Sequence, residues 1–234
     1  MCRMSLTESA FSAATRTFLA MVEYRSPDTD GEKERIYRMR YAAYLREGAL
    51  PPGAPEIYKD RYDESRNVKT YALYVSGQLA SSIRFHVLNR DQPDAPAMMV
   101  FRDKLEPLIE AGATIIDPTR FVIEETAARL YPKLPYATLR IPCMASEYFD
   151  ADYVLATVRS EHQPFYKRLF GHTVLCEARP YPSLAKPISL MLLDYKKTRS
   201  SFLARYPFLR STPDERRMTF ERDGFAAEAP ALTA

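Results

Sequence analysis

The chain alternates between short apolar runs and longer amphipathic stretches. Glu32–Glu47 places apolar and aromatic residues at helical spacing with charges on the other side, which predicts an amphipathic helix. Val68–Asn89 reads as two strands around Ser76-Gly77, a dipeptide typical of a hairpin turn. Phe101–Gly112 predicts a helix that ends at its glycine.

The other apolar runs complete an alternating order of strands and helices. The remaining predicted strands are Arg16–Arg25, Thr114–Glu125, Tyr153–Arg159, His172–Tyr181 and Lys186–Tyr195, and the remaining predicted helices are Leu134–Ala151 (in part), Glu161–Gly171 and Lys196–Pro207. No repeat or low-complexity linker divides this order, so we expect a single α/β domain with one mixed sheet flanked by helices. We assign residues 1–15 to an arm or short helix, 16–210 to the domain, and 211–234 to a flexible tail.

The strand Thr114–Glu125 has an unusual centre. Its ends are β-branched and aromatic, but Asp117, Pro118 and Arg120 lie between them. Proline cannot donate to a sheet ladder, so it belongs at a sheet edge or at a bulge. We therefore expect either an edge strand or a deliberate break in the ladder at this point.

Composition and charge exclude several classes of protein. A hydrophobic fraction of 46% supports a real core, and a net charge of +3 does not indicate nucleic-acid binding. No apolar run is long enough to span a membrane, and the first residues lack a signal-peptide pattern, so we expect a cytoplasmic protein. The three cysteines and three histidines are scattered, so the sequence predicts no disulfide framework and no metal site.

The element order resembles the GNAT acyltransferase fold. The segment "FYKRLFGHTVL" (Phe165–Leu175) looks like the helix-to-strand junction of that superfamily, with His172 where an aromatic residue is common after the glycine.

A more specific resemblance covers the first half of the chain. It is similar to the acyl-homoserine-lactone synthases and to the related long-chain N-acyl amino acid synthases. The matching residues are Arg40 and Tyr44 on the first predicted helix, Asp60 and Asp63 in "KDRYDES", Arg84 in "SSIRF", and Asp117, Arg120 and Phe121 in "DPTRF". Asp117 stands where the lactone synthases usually have Glu, and the chain has no Trp. Both departures favour the N-acyl amino acid synthase branch and argue against S-adenosylmethionine as acceptor.

This resemblance implies transfer of an acyl group from a thioester to an amine. That reaction needs a base for the amine, stabilisation of an oxyanion, and an acid for the leaving thiol. Asp117 is the preferred base and Glu124 the second candidate. Tyr166 matches the tyrosine that protonates the thiolate in many GNAT enzymes, and His162, one helical turn earlier, is an alternative. An acylated Cys143 is disfavoured by its apolar surroundings.

The acceptor site is expected to use the arginines. Arg40, Arg84 and Arg120 either bind the α-carboxylate of an amino acid or form a buried ion network with Asp60 and Asp63. We favour a mixture, in which the two aspartates orient the arginines and one arginine meets the substrate. Tyr44 and Phe121 are assigned to substrate binding by the same resemblance.

The expected donor is an acyl-phosphopantetheine thioester. The segment after Glu124 lacks the glycine-rich pyrophosphate loop of many acetyl-CoA enzymes, which favours acyl-carrier protein over acyl-CoA and implies no permanently bound cofactor. An acidic carrier protein could dock on a basic face, and an acyl tunnel could involve methionines: the candidates are Lys133, Arg140, Arg159, Lys167 and Arg168, and Met98, Met99 and Met144. The alternatives left open are an acyl-homoserine-lactone synthase using S-adenosylmethionine and a non-catalytic acyl- or carrier-binding module. The oligomeric state is not predicted.

Overall fold

One mixed sheet organises the chain. The computed structural model describes residues 9–50 and 53–221. Its strands are β1 (Val22–Arg25), β2 (Val68–Val75), β3 (Gln78–Leu88), β4 (Ile115–Ile123), β5 (Tyr153–Val158), β6 (Thr173–Arg179) and β7 (Ile188–Asp194). Its helices are α1 (Ala10–Leu19), α2 (Asp30–Arg46), α3 (Met98–Glu110), α4 (Glu125–Leu130), α5 (Leu134–Tyr148), α6 (Gln163–Phe170), α7 (Tyr195–Arg205) and α8 (Pro213–Phe220).

The sheet order is β1-β2-β3-β4-β5-β7-β6, and β4 and β5 are the parallel neighbours in it. This confirms the predicted α/β class with a mixed sheet. The β2–β3 hairpin turns at Ser76 and Gly77, with φ angles of 51° and 76°. Two successive positive φ angles are what a tight two-residue hairpin requires.

Strand β4 carries a bulge beside Arg120. Ser82 pairs with Val122 and Arg84 with Thr119, so β4 has two residues where β3 has one. Arg120 adopts a left-handed backbone, with φ of 54°. The bulge shifts the alternation of side chains and turns Arg120 toward the face that carries Arg84.

Strands β4 and β5 separate soon after they pair. Their ladder consists of Ile115–Tyr153 and Ile116–Val154. Pro118, two residues further along, offers no N–H to continue it. The expected break in the ladder is therefore present on the β5 side, but Pro118 itself pairs regularly with Phe85 of β3, and the bulge lies at Arg120.

The two faces of the sheet carry different side chains. On β3, Ile83, Phe85 and Val87 belong to the apolar cluster that packs under α5. The alternate residues Arg84 and His86 point to the opposite face, toward α2 and the 3₁₀ turn Arg61–Glu64.

Two predictions about the ends of the domain are wrong. Arg16–Leu19 belongs to α1 rather than to the first strand, because Ser9 caps a helix whose apolar residues pack on the core. Within the expected flexible tail, Pro213–Phe220 forms α8, and Phe220 is fully buried against Phe85 and Tyr71. The rest of that tail, residues 222–234, and residues 1–8 lie outside the described part of the chain.

An ion pair between the buried Arg140 and the partly exposed Glu215 holds the C-terminal segment. Arg140 of α5 donates to Glu215 at 2.6 and 2.8 Å and to the carbonyl oxygens of Phe208 and Arg210 at 3.0 and 2.6 Å.

Across residues 9–50 and 53–221, no helix combines the length and the apolarity that crossing a membrane requires.

Candidate active site

The two aspartates of the Asp-x-x-Asp motif cap a short helical turn and also accept hydrogen bonds from arginine side chains. The Asp60 carboxylate accepts the Tyr62 N–H at 2.9 Å, and the Asp63 carboxylate accepts the Asp60 N–H at 3.0 Å. These two bonds cap the 3₁₀ turn Arg61–Glu64. The remaining lone pairs of both carboxylates face the sheet.

Two fully buried arginines donate hydrogen bonds to those lone pairs. Arg84 donates to both oxygens of Asp60 at 2.7 and 3.2 Å and lies 2.9 Å from Asp63. Arg40 donates to Asp63 at 2.7 Å. Arg84 also donates to the Thr119 hydroxyl at 3.1 Å, which ties the cluster to β4.

The bulge adds a third arginine to this cluster. Arg120 donates to Asp60, and its guanidinium lies 4.4 Å from the centre of the Tyr58 ring and 5.5 Å from that of Tyr44. The expected ion network among Arg40, Arg84, Arg120, Asp60 and Asp63 is therefore present.

Electrostatics keeps both carboxylates ionised. Burial alone would raise the pKa of Asp60 and Asp63, but the neighbouring guanidinium groups, Arg84 foremost for Asp60 and Arg40 for Asp63, hold both below the usual value. Three guanidinium groups thus face two carboxylates, so the cluster carries one excess positive charge and suits an anionic ligand.

Several buried polar atoms of this face make no hydrogen bond to the described part of the chain. They are donors on Arg40 (Nε, Nη2) and Arg120 (Nε), and Ser82 Oγ, His86 Nδ1 and Asp117 Oδ1. Buried polar groups are rarely left unpaired, so this concentration indicates a polar ligand or ordered water.

Asp117 lies at the point where β4 leaves β5. Its carboxyl is fully buried, and one oxygen accepts the Ala97 N–H at 3.4 Å. Burial raises the pKa of Asp117 to about 7, against the weaker opposing effects of the Ala97 N–H and Arg84. Such a carboxyl can accept a proton near neutral pH.

His86 is the cross-strand neighbour of Asp117 on the same face. Its Nε2 lies 3.2 Å from the Tyr62 carbonyl oxygen. Burial, with help from Arg84, lowers the pKa of His86 to about 3, so the ring stays neutral.

The opposite face of β4 borders an apolar cavity. This cavity, of about 20 Å³, lies beneath α5 and is lined by residues that include Pro118, Leu139, Cys143, Val154 and Tyr166. Its volume is close to that of one water molecule, so a long chain can enter it only if side chains move.

The gap between β4 and β5 brings the two faces together. Tyr166 of α6 borders the cavity, and burial together with the neighbouring Tyr44 phenol raises the pKa of Tyr166 above its usual value. Tyr44 belongs to α2 and packs near Arg120 on the other side. The acid candidate and the arginine cluster thus approach each other across the gap.

A loop covers the arginine cluster. Between β6 and β7, Ser183 accepts a hydrogen bond from the Tyr58 hydroxyl at 3.2 Å, and the Ala185 N–H donates to Ala49 at 2.9 Å. The buried Tyr181 of this loop lies close enough to Arg120 and Asp60 for their charges to act on its pKa.

Two predicted catalytic residues lie elsewhere. Glu124 follows β4 and caps α4, its carboxylate accepting the Ala127 N–H at 2.8 Å. Burial alone would raise the pKa of Glu124, but the N–H groups at the start of α4 lower it below its usual value. A carboxylate with a lowered pKa is a poor base. His162 is exposed and lies 2.8 Å from the Arg159 guanidinium, outside the gap.

Parts of the predicted docking face and tunnel also lie elsewhere. Arg140 is buried against Glu215, and Arg159 pairs with Glu47 at 2.8 Å, so neither is a free surface charge. Met98 packs in the cluster on the α3 side, Met99 is exposed, and Met144 belongs to α5 and packs in the cluster between that helix and the sheet. Phe121 packs on the same α5-side cluster.

Sequence reasoning missed His86, Thr119, Tyr58 and Tyr181. For His86 a signal existed, because it lies two residues after Arg84 on one strand and therefore shares its face. Tyr58 and Tyr181 come from loops, where no periodicity identifies them. Cys143 is buried, and burial raises the pKa of its thiol to about 12, as its apolar setting indicated.

Comparison with known proteins identifies a family that this chain matches over most of its length. The model of the family described as "N-acyl amino acid synthase FeeM" matches residues 35–194. A search of curated protein sequences finds no significant match.

Solved structures share the fold at low identity. FeeM, an N-acyl amino acid synthase from uncultured soil microbes, superposes with a TM-score of 0.66 at 16% identity, over 79% of this chain and 96% of that chain. The AHL synthase LasI gives 0.57 at 14%, over 82% and 96%. BjaI, a CoA-dependent acyl-homoserine lactone synthase, gives 0.53 at 12%, over 80% and 89%.

Proposed function

Because the chain belongs to the FeeM N-acyl amino acid synthase family and has a GNAT-like acyltransferase fold, we propose that it transfers a long-chain acyl group from an acyl-carrier-protein thioester to the α-amine of an amino acid. This proposal rests mainly on buried polar groups that have no hydrogen-bond partner among the described residues. They are guanidinium donors on Arg40 and Arg120 and an acceptor oxygen on Asp117, and they all face the same side of β4. A carboxylate and an amine attached to one carbon, as in an α-amino acid, are the complement of that set.

The acceptor binds on the arginine face. Its carboxylate meets the donors of Arg120 and Arg40, which Asp60 and Asp63 hold in place. Its amine points to Asp117 Oδ1, at the start of the gap. The β6–β7 loop, anchored through Tyr58 and Ser183, excludes water from this face.

The donor binds on the other side of the gap. Its phosphopantetheine arm lies along the backbone of β4 after Ile116, where β5 no longer supplies partners. Its acyl chain enters beneath α5 through the cavity that Pro118 and Leu139 border. The thioester carbon then lies within the gap, open to attack from the arginine face.

The chemical steps conserve protons. Asp117 takes a proton from the amine as nitrogen attacks the thioester carbon, and the tetrahedral intermediate expels the thiolate. Tyr166, kept as a neutral phenol by burial, donates a proton to that sulfur. The C–S bond is exchanged for a C–N bond. The proton that Asp117 takes from the amine is matched by the one that the thiolate gains from Tyr166, and a proton passed through solvent from Asp117 to the Tyr166 phenolate restores both residues.

Glu124 supports a carrier protein rather than CoA as the donor. Its carboxylate occupies the N–H groups at the start of α4, directly after β4. A helix start blocked by a negative charge is a poor site for a nucleotide pyrophosphate. Lys133, Lys167 and Arg168 remain as the basic residues proposed to meet the acidic carrier.

The test is product detection by mass spectrometry. We mix the protein with hexadecanoyl-carrier protein and all amino acids, with parallel lanes containing hexadecanoyl-CoA or S-adenosylmethionine. An N-acyl amino acid in the carrier lane, lost in Asp117→Asn but kept in the exposed control Asp91→Asn, supports the proposal. Acyl-homoserine lactone, or carrier binding without any product, would contradict it.

A further inference from the structure

His172 is a polar residue in the wall of the donor cavity. It is 4% exposed and lies immediately before β6, directly after the glycine that ends α6. Its ring packs edge-on against Tyr166 and Phe170, with centroid distances of 5.6 and 5.7 Å, and all three residues line the cavity. The other lining residues are almost all apolar or aromatic.

The His172 ring is neutral and unpaired. Burial lowers its pKa to about 3, and the nearby backbone groups of Tyr166 and Val154 oppose this only in part. Those groups lie close but outside hydrogen-bond geometry, and neither ring nitrogen bonds to any described residue. Phenylalanine would fill this place without leaving any polar atom unpaired.

The chemistry of a neutral imidazole defines its missing partner. One ring nitrogen carries a hydrogen and donates, while the other accepts. Leaving both unpaired in an apolar wall is costly. A hydroxyl both donates and accepts, whereas a ketone oxygen only accepts and an alkyl chain does neither.

The position of the His172 ring indicates which part of a bound acyl chain it would contact. Val154, whose backbone lies beside the ring, forms the last pair between β4 and β5 before the gap opens. Tyr166, the proposed proton donor to the thiolate, is the other neighbour. His172 therefore lies near the thioester end of a bound acyl chain.

We propose that the donor chain carries a hydroxyl close to its thioester, as in a 3-hydroxyacyl carrier protein, and that His172 recognises this hydroxyl. This inference rests on the proposed acyl transfer and deepens it by naming the class of acyl chain. A hydroxyl in this place pairs with the ring nitrogen that faces it and makes the polar residue in an apolar wall useful.

The test is a competition between two donors of equal length. Wild-type protein receives equal amounts of 3-hydroxyhexadecanoyl- and hexadecanoyl-carrier protein, and the two N-acyl products are quantified by mass spectrometry. We expect a preference of about tenfold or more in kcat/KM for the hydroxylated chain. His172→Phe should remove this preference, and His172→Gln, which keeps a donor and an acceptor, should restore part of it.

The outcomes separate this inference from the proposed function. If neither chain is transferred, the proposed function fails and the inference with it. If both are transferred equally, or if a 3-oxohexadecanoyl donor is preferred, the inference alone fails. It also fails if His172→Phe slows both chains and keeps the preference, because the ring then acts in proton transfer. Thermal unfolding checks that each variant folds, and if His172→Phe does not, the wild-type competition decides.

Discussion

Asp117→Asn tests whether a buried carboxyl at the gap is held protonated by the fold. Burial raises the pKa of Asp117 from 3.8 to about 7. A change of one in a pKa corresponds to about 1.4 kcal/mol, so a rise of roughly three amounts to about 4 kcal/mol as an upper bound.

The direction of the pH dependence of stability follows from which state, folded or unfolded, holds the proton on Asp117. Between pH 4 and pH 7 the folded protein holds a proton on Asp117 that the unfolded chain has released. Raising the pH through this range therefore removes stability from the wild type. Asparagine never ionises, so the stability of the variant relative to wild type should grow from near zero at about pH 4 to a few kcal/mol at about pH 8.

The assay is urea unfolding of both proteins at several pH values, with Asp91→Asn as the exposed control. Because Asp91 is exposed, Asp91→Asn controls for the loss of one carboxylate at the surface. In the same series, wild-type kcat/KM should rise with pH and level off above about 7, while Asp117→Asn should lose about 10²-fold or more. A stability difference that is independent of pH, or that grows in favour of wild type, would show that Asp117 is not held protonated.

Four further substitutions have defined outcomes. Arg84→Ala leaves the buried Asp63 carboxylate and the partly exposed Asp60 carboxylate poorly compensated and should lower the unfolding free energy by about 3–5 kcal/mol, measured by urea titration. Tyr166→Phe should lower kcat by about 10²-fold with an unchanged acceptor KM; an unaltered kcat would exclude it as the acid. Arg140→Met should lower the unfolding free energy by about 2–4 kcal/mol and make the chain after Leu209 susceptible to limited proteolysis. The same cleavage pattern as in the wild type would show that other contacts hold α8. Cys143→Ser should leave kcat unchanged, and a large fall in kcat would indicate that the thiol acts as a nucleophile.

The hairpin and the central elements could be predicted because each has local chemistry that agrees with its place in the fold. Ser76-Gly77 satisfies its turn, and α2 combines amphipathic spacing with the capping box of Thr29 and Glu32. The first strand is predicted too early because a short apolar run does not separate strand from helix, and the cap at Ser9 decides the outcome.

The helix α8 carries a local signal at its start. Thr212, Pro213 and Glu215 supply a capping residue, a proline in the first turn and an acid at the third position. The burial of its Phe220 could not be read locally, because it depends on aromatic residues far away in sequence.

The site could be predicted as a set of residue types but not as a geometry. Resemblance placed Arg40, Arg84 and Arg120 with two aspartates, and the structure joins them. Which arginine meets which carboxylate depends on a bulge at Arg120 that no local pattern specifies. For Glu124 the sequence suggested a base, but its position one residue after the strand makes it a helix cap.

A crystal structure with a non-hydrolysable hexadecanoyl-pantetheine amide would locate the donor on the protein. We predict a pantetheine arm along β4 after Ile116, an acyl chain beneath α5 beside Leu139, and the amide carbonyl between Tyr166 and Asp117. An acyl chain bound on the arginine face, or outside the gap between β4 and β5, would contradict the proposed transfer.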